Sequence, residues 1–262
     1  MLGKLIKHEF KATGRILGPL FLILLVLSVV NKLVLSVDLF KGALKVIPNF
    51  VTFTYLVSII AVVVVTFVIV IIRFYKNLMT DEGYLMFTLP VKSRQLINSK
   101  LIISCIWTLL SLVAVIASLL IVFDNTEFSY FIKELFYLTK NEIDAAFGVS
   151  NTKILLIELI VLLLISIINR ILTIYASIAI GQLFTGHRII GAFGAYIAIS
   201  TVIQIILIAI LLLLGLISGI SFDEMETIPQ LIIPLTIIFN IISNFAFYFI
   251  TDYIFQKKLN LE

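Results

Sequence analysis

Charge is what this 262-residue chain has least of. Asp, Glu, Lys and Arg make up 13% of it and hydrophobic residues 61%, against about 25% charged residues in ordinary soluble domains. A soluble fold of this size could not bury so much apolar surface, so the composition excludes one and specifies an integral membrane protein. Cysteine occurs once, as Cys105 inside an apolar run. No intrachain disulfide and no cysteine-built metal site is therefore possible, and the lone thiol acts as a small hydrophobe. Only two histidines occur, His8 and His187, both near the ends of apolar runs, and H-E-x-x-H and Cys/His ligand clusters are missing. Also missing is G-x-x-x-x-G-K-[ST], the phosphate loop that cradles nucleotides. G-x-S-x-G does not occur either; "GLISG" at 215–219 is a G-x-x-x-G helix-packing pattern. Nothing sets a nucleophile beside a base. The chain reads as a non-enzyme with no cofactor and no metal of its own.

Period-two alternation is absent too, which disfavours a transmembrane barrel. What the chain does have is long uncharged runs at 16–31, 46–72, 101–123, 189–222 and 227–251. A sixth run, 154–184, is interrupted only by Glu158 and Arg170, and Leu33 to Val37 extend the first beyond Lys32. Roughly 20 apolar residues in a helix cross the hydrocarbon core. The expected fold is an all-α membrane protein, one transmembrane domain over 1–262. Its six spans are expected at about 16–37, 48–76, 100–123, 153–184, 189–214 and 228–255. The basic residues before the first run superficially suggest a signal peptide, but no A-x-A-like site follows, so the run reads as an uncleaved span.

The Lys/Arg bias gives the orientation. One side holds Lys4, Lys7, Lys11, Arg15, Arg73, Lys76, Lys92, Arg94, Lys100, Arg188, Lys257 and Lys258; the other holds Lys32, Lys41, Lys45, Lys133, Lys140 and Lys153. Twelve against six puts both termini and segment 77–99 in the cytoplasm. The net charge of +4 reflects this topology and gives no support to nucleic-acid binding.

The opening "MLGKLIKHEFKATGR" is amphipathic at helical spacing, with Leu2, Leu5, Ile6 and Phe10 on one face. It predicts an elbow helix over 2–14 lying flat among lipid headgroups, or a plain charged flank. Gly14 and Gly18-Pro19 would allow a bend into the first span. In the external loop 124–152, Phe128, Phe131, Ile132, Leu135 and Leu138 recur at spacings of three and four. That periodicity predicts a helix resting on the membrane or capping the bundle, with a gate as the sharper alternative. The 34-residue run 189–222 would be roughly 50 Å long as one helix, so a break is expected near "GLISGIS", with a short re-entrant piece after Leu214.

Few polar groups lie within the spans. Arg170, beside Asn169, falls near the middle of the fourth span, where an arginine costs roughly 2.5 to 3.5 kcal/mol on insertion scales. It is expected to face the bundle interior or reach a polar cavity, either on a transport pathway or at an interhelical or oligomer contact. Glu158, twelve residues earlier and about 18 Å along the helix, cannot pair with it. Milder candidates for a polar pathway are Thr54 and Ser58 on the second span and Ser200 and Gln204 on the fifth.

The most informative stretch is "RFYKNLMTDEGYLMFTLPVKSRQLINSK", residues 73–100, between two apolar runs. The second span should continue as a helix to about Asn77, and Thr80 or Asp81 can cap the next turn. Gly83 permits close approach, Tyr84 to Phe87 form an apolar knob, and Ser93 can cap the rise into the third span. An exposed apolar turn in a cytoplasmic loop implies a protein surface to receive it. With the opening "KLIKHEFKATGRILGP", this segment resembles the permease subunits of ATP-binding cassette transporters, of the type-2 exporter class of Gram-positive bacteria. The resemblance extends over the whole chain in its six-span layout, though no large extracellular domain is present. It implies a coupling helix in segment 77–99, with Asp81, Glu82, Gly83, Tyr84, Leu85, Phe87 and Pro90 contacting a cassette ATPase subunit. It further implies two copies of that subunit, holding ATP and magnesium, and a second permease, identical or homologous. Together they would export an amphipathic peptide, drug or lipid-like substrate across the cell (plasma) membrane. A secondary transporter or channel driven by an ion gradient is the alternative.

Overall fold

The computed structural model describes residues 2–36, 46–79, 93–123, 130, 133–134, 152–184, 186–218 and 228–257. They form six long helices, α1 (Leu2–Ser36), α2 (Val46–Met79), α3 (Ser93–Val122), α4 (Thr152–Gly181), α5 (Arg188–Ser218) and α6 (Ile228–Lys257). Lengths of 30 to 35 residues correspond to about 45 to 52 Å, more than a hydrocarbon core of about 30 Å. All six are long and apolar enough to cross a bilayer, and no strand occurs among the described residues. Helix is the form that satisfies each backbone N–H and C=O without water. The chain is a six-span all-α membrane protein.

The expected bend after residue 14 and the expected break within 215–221 fall on α1 and α5. α1 runs from Leu2 to Ser36 through Gly14, Gly18 and Pro19, so residues 2–14 are the first turns of the span. α5 continues past Leu214 and Gly215 to Ser218. The remainder of the expected return, 219–222, lies outside the described residues. So does most of the external loop 124–152.

Packing divides the chain into two compact units, Met1–Phe74 with Asn98–Leu135, and Tyr75–Ile97 with Phe136–Glu262. In the first unit, α1 buries Glu9, Thr13, Leu17, Leu24, Ser28 and Asn31, a single stripe at helical spacing. Trp107 of α3 is a hub. Phe10 stacks on its indole at 5.0 Å between centroids and Phe21 tilts against it at 5.9 Å. Gly14 lies so close that a Cβ there would meet the ring at 3.3 Å. Leu17, Ile69 and Ile103 complete this cluster, and Leu24, Tyr55, Val62 and Ala114 form the next. Ser104, Ser111 and Ser118, all buried, recur every seven residues on α3. Small side chains at that interval let helix backbones approach closely in lipid.

In the second unit, α4 packs against both α5 and α6. Its residues 171–179 are buried on every face, as befits a helix apolar all round. Gly181 makes the tightest approach: a Cβ would fall 2.5 Å from the backbone nitrogen of Ala192. Gly194, by contrast, has nothing within 4 Å of a Cβ. Gly181→Ala should therefore force the two helices apart and cost about 1 to 3 kcal/mol. Gly194→Ala should be neutral or stabilising by about 0.5 to 1 kcal/mol. Thermal unfolding of the two variants in detergent checks this, and equal melting temperatures would refute the close contact.

Candidate functional site

Residues 80–92, which hold Asp81, Glu82, Gly83, Tyr84, Leu85, Phe87 and Pro90, lie outside the described residues. What the structure describes is how the two stems of that segment are held. α2 does not stop at Asn77 but runs to Met79, and α3 begins at Ser93 as the sequence suggests. Asn77 and Leu78 on one stem and Leu96 and Ile97 on the other are buried. Both stems belong to the unit that contains α4, α5 and α6.

The anchor is Asp252, near the end of α6. Its carboxylate is only 5% exposed and accepts three hydrogen bonds. Arg94 Nε donates to Oδ2 at 2.8 Å, while Ser93 Oγ and Gln256 Nε2 donate to Oδ1 at 3.1 and 2.9 Å. Gln256 is one turn further along α6, so helical spacing alone brings it to the carboxylate. Ser93 and Arg94 are the first two residues of α3. The end of α6 thus holds the α3 stem by a charge-assisted pair, the stronger kind of hydrogen bond. The guanidinium is 60% exposed, and solvent screens the Coulombic part of the contact. The geometry, with three donors on one buried carboxylate, is what locates the stem.

Six residues further along α3, within the other unit, a second ion pair is fully buried. Lys100 Nζ donates to Glu9 Oε1 of α1. The sequence pattern had set Glu9 on the polar side of an elbow and Lys100 at the lipid interface. Their mutual contact removes both from water, as a buried charge requires. Neither pair was found by sequence reasoning. The available signal was an acidic residue alone among Lys4, Lys7 and Lys11, and another at the end of the last apolar run.

The intramembrane polar candidates are not brought together. Thr54 and Ser58 donate to the carbonyls of Phe50 and Tyr55 on their own helix, at 2.9 and 2.7 Å. Ser200 is half-buried and Gln204 exposed. Asn169 is buried, and its Nδ2 has no hydrogen-bond partner. Arg170, expected in the bundle interior, is exposed on the surface of this chain. Its helical phase decides this: Asn169 and Thr173 take the packed side of α4, so Arg170 points away. A groove of about 490 Å³ runs beside Phe184, His187, Gly191 and Gly194, and its walls are almost wholly apolar. No group of three potential metal ligands occurs among the described residues.

No family model, curated protein or solved structure matches this chain.

The Asp252 anchor has a direct test. Asp252→Ala removes three acceptor contacts and should lower stability by about 2 kcal/mol, whereas Arg94→Ala, at an exposed guanidinium, should cost less. A double-mutant cycle read by thermal unfolding should give clear coupling between the two positions. Additive losses would mean that the pair does not hold the stem.

Lys100→Met should be worse, at about 3 to 5 kcal/mol, because it removes the cation that faces the buried Glu9 carboxylate. Adding Glu9→Gln should restore most of the loss, again by unfolding midpoint. No recovery would show that the two charges do not compensate each other.

Proposed function

We propose that this chain is the membrane-spanning half of an ATP-driven exporter in the cell membrane, with both termini in the cytoplasm. It takes its energy from a separate cassette ATPase subunit that docks on residues 80–92. The observation that carries this reading is the anchoring of both stems of that segment. A force applied at Asp81 to Pro90 passes on one side into the buried end of α2. On the other side it passes into Ser93 and Arg94, which the buried Asp252 carboxylate ties to α6. A loop that merely joined two spans would need no such ties. A loop that transmits a push needs rigid stems, because a compliant one would absorb the motion. The acidic pair and the apolar knob of "DEGYLMFTLP" supply a surface for the partner, and the resemblance to exporter permeases supplies the partner's identity. Since the chain lacks a phosphate loop, the partner brings ATP and magnesium. A second permease, identical or homologous, completes the assembly. The cargo is an amphipathic peptide, drug or lipid-like molecule.

Affinity purification of the full chain in mild detergent should recover a nucleotide-binding protein and ATPase activity. The double variant Glu82→Arg, Phe87→Asp should lose both while the membrane protein still purifies as a folded species. If the wild-type chain brings down no nucleotide-binding protein, and its transport in vesicles follows an imposed ion gradient instead, the reading is wrong.

A further inference from the structure

The runs 16–31, 46–72, 101–123, 189–222 and 227–251 contain no charged residue. Within the apolar span Ile157–Gly181 of α4, Glu158 and Arg170 are the charges, and Arg170 stands at its middle. Eleven residues separate Arg170 from Gly181, about 16 Å of helix. Its side chain is exposed, and it has no hydrogen-bond or ion-pair partner among the described residues. An arginine in this position must meet an anion, a polar cavity or protein.

A carboxylate from this chain is not at hand. Glu158 is about 18 Å away along the helix. Asp252 of α6 lies nearer in depth, but its carboxylate is 5% exposed and already accepts from Arg94, Ser93 and Gln256. A second copy related by a two-fold axis normal to the membrane repeats each residue at its own depth. It would therefore bring another Arg170 to this level, and of acids only the buried, already paired Asp252. The counter-charge has to come from a different molecule.

The surface around Arg170 suggests its shape. Leu159, Leu163, Ser166 and Arg170 follow spacings of four, three and four residues and so share one face of α4. The Ser166 hydroxyl is occupied by the Leu163 carbonyl at 2.8 Å. Leu159 and Leu163 are both exposed, at 40% and 43%. A cation thus ends an open apolar stripe about 16 Å long. We infer that Arg170 binds the carboxylate of an amphipathic acid, cargo whose apolar tail lies along Leu163 and Leu159. The planar guanidinium matches a carboxylate with two parallel hydrogen bonds, and the low dielectric strengthens them. As an identification of cargo this rests on the proposed export function. As a binding site it rests on the chain alone.

The test uses the purified full chain in phosphatidylcholine nanodiscs, without ATP or any second subunit. The probes are a fluorescent polyene fatty acid and its methyl ester. The acid should bind saturably and the ester at least roughly tenfold more weakly. Arg170→Gln and Arg170→Leu should each lower affinity for the acid by a similar factor and leave the ester unchanged, with Arg170→Lys in between. An unchanged melting temperature shows that the exposed position was altered without disturbing the fold. Equal binding of acid and ester by the wild type, or undiminished acid binding by Arg170→Gln, overturns the inference. So does loss of acid binding when the bilayer is made of phosphatidylglycerol, which would mean that bulk anionic lipid holds the site. None of these results bears on the ATPase partner, and failure to co-purify that partner would leave them unaffected.

Discussion

A charge that leaves water inside this bundle must meet its opposite, and α3 meets that demand twice within its first two turns. Arg94 finds Asp252 from α6, and Lys100 finds Glu9 from α1. Stranding a charge such as Asp252, Lys100 or Glu9 in a low-dielectric interior is costly, so these buried groups specify their partners more sharply than apolar contact can. Leucine packs against almost any leucine; Asp252 packs only where three donors converge. Both ends of residues 80–92 are thereby fixed, one through the buried Asn77 and Leu78, the other through Ser93 and Arg94.

Elsewhere the chain avoids the problem by keeping polar groups small and local. The hydroxyls of Thr54, Ser58, Thr66, Thr173, Ser177 and Thr251 bond back to carbonyls of their own helices. Hydrogen bonds that tie helices together include Thr52 with Asn31 and Tyr55 with Ser118. Apolar clusters around Trp107 and Leu24 make up much of the first unit's core. Arg170 departs from both habits, since it is neither paired nor buried among the described residues.

How much of this could be read in the sequence follows from what each feature depends on. The six spans were legible because the bilayer imposes one dominant rule, long apolar helices, that acts on composition directly. The end of α2 near Asn77 and the start of α3 at Ser93 were legible because charge and capping chemistry mark them locally. The elbow was not, because Glu9, Phe10 and Gly14 look like a polar-apolar surface pattern until α3 brings Lys100 and Trp107 to them. The break within 215–221 was expected because a 34-residue uncharged run exceeds one bilayer crossing; α5 reaches Ser218, and the rest of that stretch lies outside the described residues. Asp252 drew no notice because Ser93 and Arg94 are nearly 160 residues away in the chain. Tertiary pairing of that kind leaves only a faint mark in one sequence, here a lone acid among bases.

The central claim is that residues 80–92 meet an ATP-binding partner in the cytoplasm. Placing a photo-reactive phenylalanine analogue at Phe87 in living cells tests it most directly. Illumination should yield one discrete adduct containing a nucleotide-binding protein, and no adduct when the analogue replaces Lys133. Labelling of a cysteine at position 87 by a membrane-impermeant reagent in intact cells would put the segment outside and contradict the account.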